Sequence, residues 1–543
     1  MPPHSFLLAV AAAFLAVAII TGDEVSVSGL SLDIHHRYSP VVQRWAEARG
    51  HAGISWPAAA GDGQLVLRSP EYYSTLSLHD HALFSRRGLA QSDPLTFADG
   101  NATFQLVGSL HYAAVSVGTP NTTFLVALDT GSDLFWVPCD CKQCANVTAA
   151  MAAGDNSQLF RQYSPSKSST SKKVTCENPL CVTPNACSNS TTSCPYAVNY
   201  VSANTSSSGD LVEDVIYLTG AGGDTGVKAA PVVFGCGQIQ TGLFLEGAAA
   251  DGLLGLGIEK VSVPSILAAN GVVKSDSFSM CFSSDGVGRI NFGDTGAANQ
   301  AQTPYIVRPT HPFYNISVTS MSVGGKELPV GFYAVVDSGT SFTYLSGPAY
   351  TALTTNFNAQ VREKRINITS ARSRSGSLPF DYCYELKSDQ TDLLVPEVNL
   401  TTKGGAVFPV TDPIVVVVGR LPNGQARALG YCLAVIKSDL PIDIIGQNFM
   451  TGLKVVFNRE KSVLGWQEFD CYKDVKMSDA GGVGSPSPSP GPTTHINPQP
   501  QVNDGNGQIP GAAPLPRPNS AAGHAVSGGV VFFSMMMLAA AIF

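Results

Sequence analysis

Charged side chains are scarce in this sequence, and those present form no basic cluster. They make up only 14% of the 543 residues, with 33 Lys and Arg against 41 Asp and Glu, for a formal net charge of −8. This balance argues against nucleic acid as a partner. The hydrophobic fraction is 44%, which suits a β-rich protein with a sizeable core, and the chain is too long for one ordinary domain.

The sequence also lacks a complete zinc-type ligand pattern. The run Cys139-x-Cys141-x-x-Cys144 could suggest a metal site, but no second pair with histidine follows it at zinc-ligand spacing. The chain has 12 cysteines, an even number, as is typical of a secreted disulfide protein. We therefore expect disulfides, no metal and no other cofactor.

The N-terminal apolar run, Phe6–Ile20, has no Lys or Arg before it and is too short to span a bilayer comfortably. We interpret residues 1–22 as a signal peptide, with an N-terminal anchor as the alternative. Residues 23–100 carry several arginines but no catalytic-looking motif, and Arg86-Arg87-Gly88 is a candidate processing point. This segment is either a propeptide or an extension that stays attached.

The C-terminal apolar run, Ala525–Phe543, has no charged flank after it, whereas a transmembrane helix normally has a basic cytoplasmic edge. Small residues around Ser520 and a short polar spacer precede this tail. The arrangement predicts a GPI-attachment signal at 521–543, with Ser520 as the attachment residue. A spanning helix, or neither, remains the alternative. Residues 475–520 are rich in Pro, Ser and Gly and are predicted to be a stiff linker.

Two stretches repeat one pattern, an apolar run that ends in an aspartate. They are Phe124–Ser132 and Phe332–Ser341. In both, the aspartate (Asp129 or Asp337) precedes a hydroxyl residue, a glycine and another hydroxyl residue. A continuous apolar run bounded by turn residues predicts a strand buried on both faces. The glycine lets the chain turn where a Cβ would obstruct it.

A second pair of motifs follows in the same order. Asp251–Gly257 lies downstream of Asp129, and Asp443–Gln447 lies downstream of Asp337. Each contains two bulky apolar residues followed by glycine. A repeat of this length predicts two similar lobes, because the period of a solenoid would be far shorter.

On these motifs, together with Leu134–Val137, the chain resembles the pepsin-type aspartic proteases, most closely their plant branch. The resemblance covers roughly Phe104 to Lys473. It implies an all-β, bilobal fold with the active site between two similar β-rich lobes. We place the N-terminal lobe at 101–300 and the C-terminal lobe at 301–474. At the position of residues 23–100, the family has an inhibitory prosegment.

The resemblance implies that Asp129 and Asp337 are the catalytic pair. Two carboxylates that share one proton can activate a water and protonate a carbonyl oxygen. Four hydroxyl residues are expected to support them. Ser132 and Thr340 can hydrogen-bond the outer carboxylate oxygens, and Thr130 and Ser338 resemble the buried pair that ties the two catalytic loops together in the family.

Tyr200 is the candidate flap residue, in the hairpin-like stretch Tyr196–Gly209. The family has a Gly-rich turn after this tyrosine, whereas this chain has Val-Ser-Ala-Asn. Tyr196 as the flap residue, or a core role for Tyr200, is the alternative. Trp136 would support the flap tyrosine from beneath, or it simply packs in the core.

The Cys-rich stretch from Cys139 to Cys194 resembles an insertion that marks plant members of the family. The resemblance also implies the disulfides Cys383–Cys432 and Cys281–Cys471, and the pairing of the other eight cysteines stays open. Eight sequons fit a secreted glycoprotein. Their asparagines are Asn101, Asn121, Asn146, Asn189, Asn204, Asn315, Asn367 and Asn399.

The sequence thus predicts a monomeric aspartic endopeptidase that acts on protein or peptide substrates at acidic pH. It would travel the secretory pathway and sit on the outer face of the plasma membrane through a lipid anchor. Two other classes remain. One is a catalytically silent relative that binds and inhibits other enzymes, and the other is a structural cell-surface protein.

Overall fold

Two large β-sheets dominate the computed structural model of this chain. The structure describes residues 30–36, 39, 41–42, 69–70, 72–74, 76–77, 80, 111–145, 162–200, 205–219, 227–245, 249, 251–282, 287–306, 313–366, 378–387, 390, 392–420, 426–439, 441–469 and 494–495. The chain divides into two units, 1–498 and 499–543, and all described residues lie in the first. No helix within the described ranges is long and apolar enough to cross a membrane.

Strands form most of the regular structure. In chain order they are β1 (Leu30–His36), β2 (His111–Val117), β3 (Thr122–Asp129), β4 (Trp136–Gln143), β5 (Lys172–Lys173), β6 (Pro195–Asn199), β7 (Ser206–Thr219), β8 (Val227–Thr241), β9 (Leu253–Gly255), β10 (Ser277–Phe282), β11 (Val287–Phe292), β12 (Ala301–Pro304), β13 (Asn315–Val323), β14 (Lys326–Leu328), β15 (Phe332–Val336), β16 (Thr343–Leu345), β17 (Cys383–Glu385), β18 (Asp392–Leu393), β19 (Val398–Thr402), β20 (Val407–Val410), β21 (Ile414–Arg420), β22 (Ala426–Leu433), β23 (Val435–Lys437), β24 (Asp443–Ile445), β25 (Leu453–Asn458), β26 (Val463–Glu468) and β27 (Thr494–His495).

Helices are few and short in the described part of the chain. They are α1 (Val263–Ala269), α2 (Gly347–Gln360) and α3 (Gln447–Met450), with 3₁₀ turns at Pro165–Lys167, Pro184–Ala186 and Gly242–Phe244. Residues 41–42, 70, 72–74, 76–77 and 80 are also helical. A proline in the first turn helps both α1 and α2 to begin, because its fixed φ suits that position. Leu353 and Phe357 of α2 are buried four residues apart, so one face of this helix packs on the core.

The same strand pairing occurs twice, once around each catalytic-type motif. In the first sheet β9 pairs parallel with β3 and antiparallel with β4, and β4 pairs parallel with β8. In the second, β24 pairs parallel with β15 and antiparallel with β16, and β16 pairs parallel with β23. This duplicated arrangement fits the prediction of an all-β, bilobal fold.

Strands from both halves contribute to the larger sheet. Its 14 strands follow the order β12-β26-β25-β10-β11-β1-β2-β3-β9-β4-β8-β7-β5, with β6 beside β7. The eight-stranded sheet has the order β20-β19-β13-β15-β24-β16-β23, with β14 beside β13, and β17-β22-β21 form a smaller sheet. Because β12, β25 and β26 come from the second half, the two lobes share one hydrogen-bonded sheet.

The strand that leads to Asp337 differs from the sequence prediction. We expected both aspartate-bearing strands to be buried on both faces, and five successive residues of β3 are indeed buried. In β15, however, Tyr333 is 54% exposed while Ala334 and Val336 are buried. The prediction of two buried faces is therefore wrong for β15, because Tyr333 faces solvent, although Val335 on the same face packs against a hydrophobic cluster.

The segment before residue 100 contributes strand β1 to the larger sheet. β1 pairs with β11 over six residues but with β2 over only two, where His36 lies opposite His111. The two imidazole rings are 5.3 Å apart and His111 is buried. Burial, and then the neighbouring charge of His36, lowers the pKa of His111 well below its ordinary value. The junction therefore favours neutral histidines.

Candidate active site

Asp129 and Asp337 lie together at the ends of β3 and β15, in loops with matched hydrogen bonds. The Oδ1 atom of each carboxylate accepts a backbone N–H two residues on, from Gly131 or Gly339, at 2.8 Å. Each Oδ2 atom accepts a hydroxyl three residues on. Ser132 donates to Asp129 at 2.6 Å, and Thr340 donates to Asp337 at 2.7 Å. Residues two and three positions away thus help to orient both carboxylates.

Glycine is required where the two catalytic loops meet. A Cβ on Gly339 would lie 2.8 Å from Asp129 Oδ1 and 3.2 Å from Asp337 Oδ1. A Cβ on Gly131 would lie 3.1 Å and 3.3 Å from the same two oxygens. Both Oδ1 atoms therefore border one small space, and any larger residue would intrude on it.

A reciprocal pair of hydroxyls joins the two loops. The Thr130 hydroxyl accepts the Ser338 N–H at 2.9 Å and donates to the carbonyl of Val336 at 3.3 Å. In return, the Ser338 hydroxyl accepts the Thr130 N–H at 3.2 Å. Both side chains are buried, so these bonds fix one carboxylate relative to the other away from competing solvent at the two hydroxyls.

The environment of Asp129 favours the protonated acid. Burial, followed by the negative charge of Asp337, raises the pKa of the Asp129 carboxyl well above its ordinary value. The hydrogen bonds from Ser132 and Gly131 act in the opposite direction. Because two adjacent carboxylates cannot both ionise easily, the pair retains one proton at mildly acidic pH.

Tyr200 lies above the first catalytic loop and contacts Trp136. The Trp136 indole N–H donates to the Tyr200 hydroxyl at 2.8 Å, and both rings pack at 4.9 Å from Phe244. Burial, and then the charge of Asp129, raises the pKa of Tyr200 above its ordinary value. Tyr196 is instead buried in the core, where its hydroxyl contacts Ser207 at 2.8 Å.

The acidic residues that begin the second pair of motifs hold backbone in place. Asp251 accepts the N–H of Leu125 at 2.9 Å, and Asp443 accepts the N–H of Ser346 at 2.5 Å. Both side chains are buried. The repeat is visible in the sequence, whereas the role of these aspartates is seen only in the structure. Each one ties the strand that carries its apolar-apolar-Gly motif to another part of its lobe.

A contact that the sequence analysis missed supports the first catalytic loop from behind. Leu256 N–H donates to the Asp129 carbonyl at 2.9 Å, and Gly257 N–H donates to the Ser132 carbonyl at 2.7 Å. Two residues from the second half hold Leu256 and Gly257 in turn. The Tyr314 hydroxyl donates to the Leu256 carbonyl at 2.7 Å, and Arg459 donates to the Gly257 carbonyl. No spacing pattern in the sequence predicts that Tyr314 or Arg459 makes these contacts.

Arg459 is the centre of that support. Its side chain is only 4% exposed and pairs with Asp276, with Nε 2.9 Å from Oδ1. Its guanidinium also donates to the hydroxyls of Ser262, at 2.7 Å, and Ser265. A planar group with five N–H donors can satisfy this many acceptors at once, so one side chain holds several parts of the first lobe.

Disulfides account for the cysteines of the described ranges. The first-lobe pairs, which the sequence left open, are Cys139–Cys236, Cys141–Cys144, Cys176–Cys187 and Cys181–Cys194. Cys383 and Cys432 are joined as the resemblance implied. Cys281 is also disulfide-bonded, while its expected partner, Cys471, lies outside the described residues.

The remaining predicted sites fall at the surface or outside the described ranges. Asn121 and Asn189 are exposed in turns, whereas Asn315 in β13 and Asn399 in β19 are partly buried. The other sequon asparagines and Ser520 lie outside the described residues. These residues are Asn101, Asn146, Asn204 and Asn367.

Comparisons with known proteins match both lobes. A family described as xylanase inhibitor N-terminal matches residues 111–294, and one described as xylanase inhibitor C-terminal matches 313–468. The chain is 48% identical over 446 residues to Aspartyl protease family protein 1 of Arabidopsis thaliana, covering 81% of each. It is 35% identical over 530 residues to Aspartic proteinase-like protein 1 of the same plant, covering 95% of this chain and 91% of the relative.

The fold is also similar to solved structures. A crystal structure described as edgp aligns with a TM-score of 0.51 and 20% identity, covering 66% of this chain and 91% of that one. At this level of identity the similarity concerns the fold alone.

Proposed function

Because the chain belongs to the pepsin-like family of plant aspartic proteases, we propose that it is an aspartic endopeptidase that hydrolyses peptide bonds of protein substrates at acidic pH. The observation that carries the proposal is the matched pair of carboxylates. Asp129 and Asp337 have equivalent hydrogen bonds and border one space. Both come from one chain, so a monomer has a complete site.

The reaction uses the one proton that the pair retains. The ionised carboxylate takes a proton from a water molecule, whose oxygen attacks the carbonyl carbon of the peptide bond. The protonated carboxyl group donates to the carbonyl oxygen. When the tetrahedral intermediate breaks down, the C–N bond is cleaved and a proton passes to the leaving amine, which leaves a carboxylic acid and an amine. Tyr200 would cover the site, supported by Trp136.

We expect a mixed peptide library to be cleaved at acidic pH and the cleavage to stop when a pepstatin-type inhibitor is added. Activity should fall as the pH rises past the raised pKa of the pair, because the remaining proton is then lost. Mass spectrometry of the library at several pH values, with and without the inhibitor, measures both effects. Cleavage that peaks at neutral pH and stops with a chelator would contradict the proposal.

A second candidate function is inhibition of another enzyme by binding. It is suggested by the xylanase-inhibitor descriptions of the matching families. The intact pair of carboxylates favours catalysis, because a protein that only binds needs neither acid. Failure of the library digestion, together with inhibition of a xylanase by the purified protein, would favour this alternative.

We also propose that the enzyme is secreted and glycosylated, and that a GPI anchor holds it at the outer face of the plasma membrane. The support is the N-terminal apolar run, the sequons and the terminal apolar tail without a charged flank. Phosphatidylinositol-specific phospholipase should release the protein from membranes into the aqueous phase. Protein that stays bound and retains residues beyond Val530 would instead have a spanning tail.

A further inference from the structure

The described residues between 69 and 80, namely 69–70, 72–74, 76–77 and 80, pack against the second lobe, and most of them are helical. The Tyr73 ring lies 6.3 Å from that of Phe342 and 5.9 Å from that of Phe380, and its hydroxyl donates to the Val416 carbonyl at 2.7 Å. Leu76 is buried in the same cluster. The segment is thus held by a hydrophobic contact, and this contact positions the residue at its end.

Asp80 lies at that end, with its carboxylate fully buried. Its Oδ1 atom accepts the backbone N–H of Ser341 at 3.0 Å and the Ser341 hydroxyl at 2.7 Å. Its Oδ2 atom accepts the N–H of Phe342 and the hydroxyl of Tyr344, both at 3.1 Å. Each oxygen therefore has two donors, which is the arrangement that a carboxyl group needs.

This pocket distinguishes an acid from its amide. If an amide replaced the carboxylate, its NH₂ group would have to face either the two Ser341 donors or the donors from Phe342 and Tyr344. One backbone N–H would then lose its acceptor in a buried site, which is costly. Burial raises the pKa of Asp80 to about 7, against the smaller effects of its hydrogen bonds. The pocket therefore accepts a carboxyl group best in mildly acidic solution.

The pocket is next to the catalytic pair. Thr340, whose hydroxyl donates to Asp337 Oδ2 at 2.7 Å, directly precedes Ser341. Asp80 itself lies before the candidate processing point at Arg86-Arg87. Removal of the N-terminal segment would thus take away the present occupant and leave four donors beside the site of peptide-bond hydrolysis.

We propose that the pocket formed by Ser341, Phe342 and Tyr344 is a substrate subsite for an acidic side chain, which Asp80 occupies until the segment is removed. The proposal rests on the proposed peptidase function, since it names a substrate class for the same cleft. It assigns the enzyme a preference for glutamate or aspartate at one position near the scissile bond.

The first experiment tests the pocket in the full-length chain. Asp80→Ala leaves a space of the size of a carboxyl group, and sodium formate should fill it. At pH 6 we expect formate to raise the melting temperature of this variant by about 2–4 °C in a saturable way, and sodium chloride at equal ionic strength not to. Asp33→Ala, which removes an exposed aspartate of β1, is the matched control and should show no formate effect.

The second experiment tests the substrate. The full-length chain is processed at acid pH, removal of the N-terminal segment is checked by mass, and peptide pairs that differ only by Glu or Gln at one position are compared. At one position we expect kcat/KM to be about tenfold higher for Glu. Tyr344→Phe should bring this ratio toward one, because it removes one donor to the acid.

The proposal stands only if both experiments succeed. If formate does not specifically stabilise Asp80→Ala, the claim that the pocket binds a carboxylate is wrong. If Glu and Gln peptides are cleaved equally at every position, the claim that the pocket is a substrate subsite is wrong. If neither peptide of any pair is cleaved, the proposed peptidase function fails instead. Calorimetric binding of the same pairs to the processed chain then decides the subsite, and equal affinity for Glu and Gln peptides overturns it.

Discussion

Replacing either Asp129 or Asp337 by asparagine is expected to reduce peptide hydrolysis by about 10³-fold or more. Each carboxyl group serves in a proton transfer, and general acid or base catalysis contributes roughly 10²–10⁴-fold. Asparagine cannot accept a proton from water, and it cannot share one with its partner. Steady-state kcat/KM on a cleaved library peptide, measured at the acidic optimum, gives the effect.

The loss should come from chemistry and not from unfolding. The pKa of Asp129 is raised in the folded chain, so its contribution to stability is complete only at low pH and is lost as the pH rises through the raised value. Asp129→Asn should therefore unfold no more readily than the parent at neutral pH. Asp140→Asn changes an exposed aspartate of β4 and should keep full activity. Near-parent activity of either dyad variant would show that the site is assigned wrongly.

Arg459→Met is expected to lower the free energy of unfolding by about 3 kcal/mol, because removing one partner of a buried ion pair leaves the other uncompensated. The figure lies at the low end of the usual range since Asp276 is 31% exposed. The carbonyl of Gly257 also loses a donor. The shift of the urea midpoint, with the slope checked for two-state behaviour, measures the change.

A matched variant separates this effect from a general loss of positive charge. Arg289→Met removes an arginine whose partner, Asp33, is 46% exposed, so we expect a change below about 1 kcal/mol. Arg459→Met should also lower kcat/KM, because Gly257 holds the carbonyl of Ser132 at 2.7 Å. Equal stability of the two variants would mean that Arg459 does not support the catalytic loop.

The catalytic loops could be predicted from sequence because their interactions are local. Asp129 is oriented by residues two and three positions away, and the same is true of Asp337. A four-residue motif therefore contains most of the geometry. Its repetition in the second half also pointed to two lobes with the same strand pairing.

The choice between two tyrosines could not be made in this way. Tyr196 and Tyr200 are four residues apart, so neither the period of a strand nor that of a helix separates them clearly. Their difference is set by distant partners, Ser207 for one and Trp136 for the other. Which of them lies near Asp129 depends on how the hairpin folds over the cleft.

Contacts between residues far apart in the chain could not be predicted from the sequence for a related reason. Asp80 and Ser341 are 261 residues apart, and Arg459 and Gly257 are 202 apart. A single acidic or basic residue in a loop has no spacing that identifies its partner. The arginines of the N-terminal segment lie outside the described residues, and the described part of the segment contributes the acid Asp80.

The two attachments of the N-terminal segment respond to acid in opposite directions. At the β1–β2 junction, His111 faces His36 and, more distantly, His35, with Gln447 and Phe282 also against it. Asp33 raises the pKa of His35, but burial outweighs it. Because histidines with lowered pKa values favour the paired strands only while neutral, this attachment weakens as the pH falls below about 6.5.

The attachment at Asp80 responds to pH in the opposite direction. Because the pKa of Asp80 is raised in its pocket, the carboxyl group takes up a proton when the segment docks. This attachment strengthens as the pH falls from about 7 towards the ordinary pKa of a free aspartate. Acid alone would therefore weaken the β1–β2 junction while tightening the attachment at Asp80. A fall in pH therefore cannot weaken both attachments at once, and release of the segment would need a second event, such as a cut in the chain.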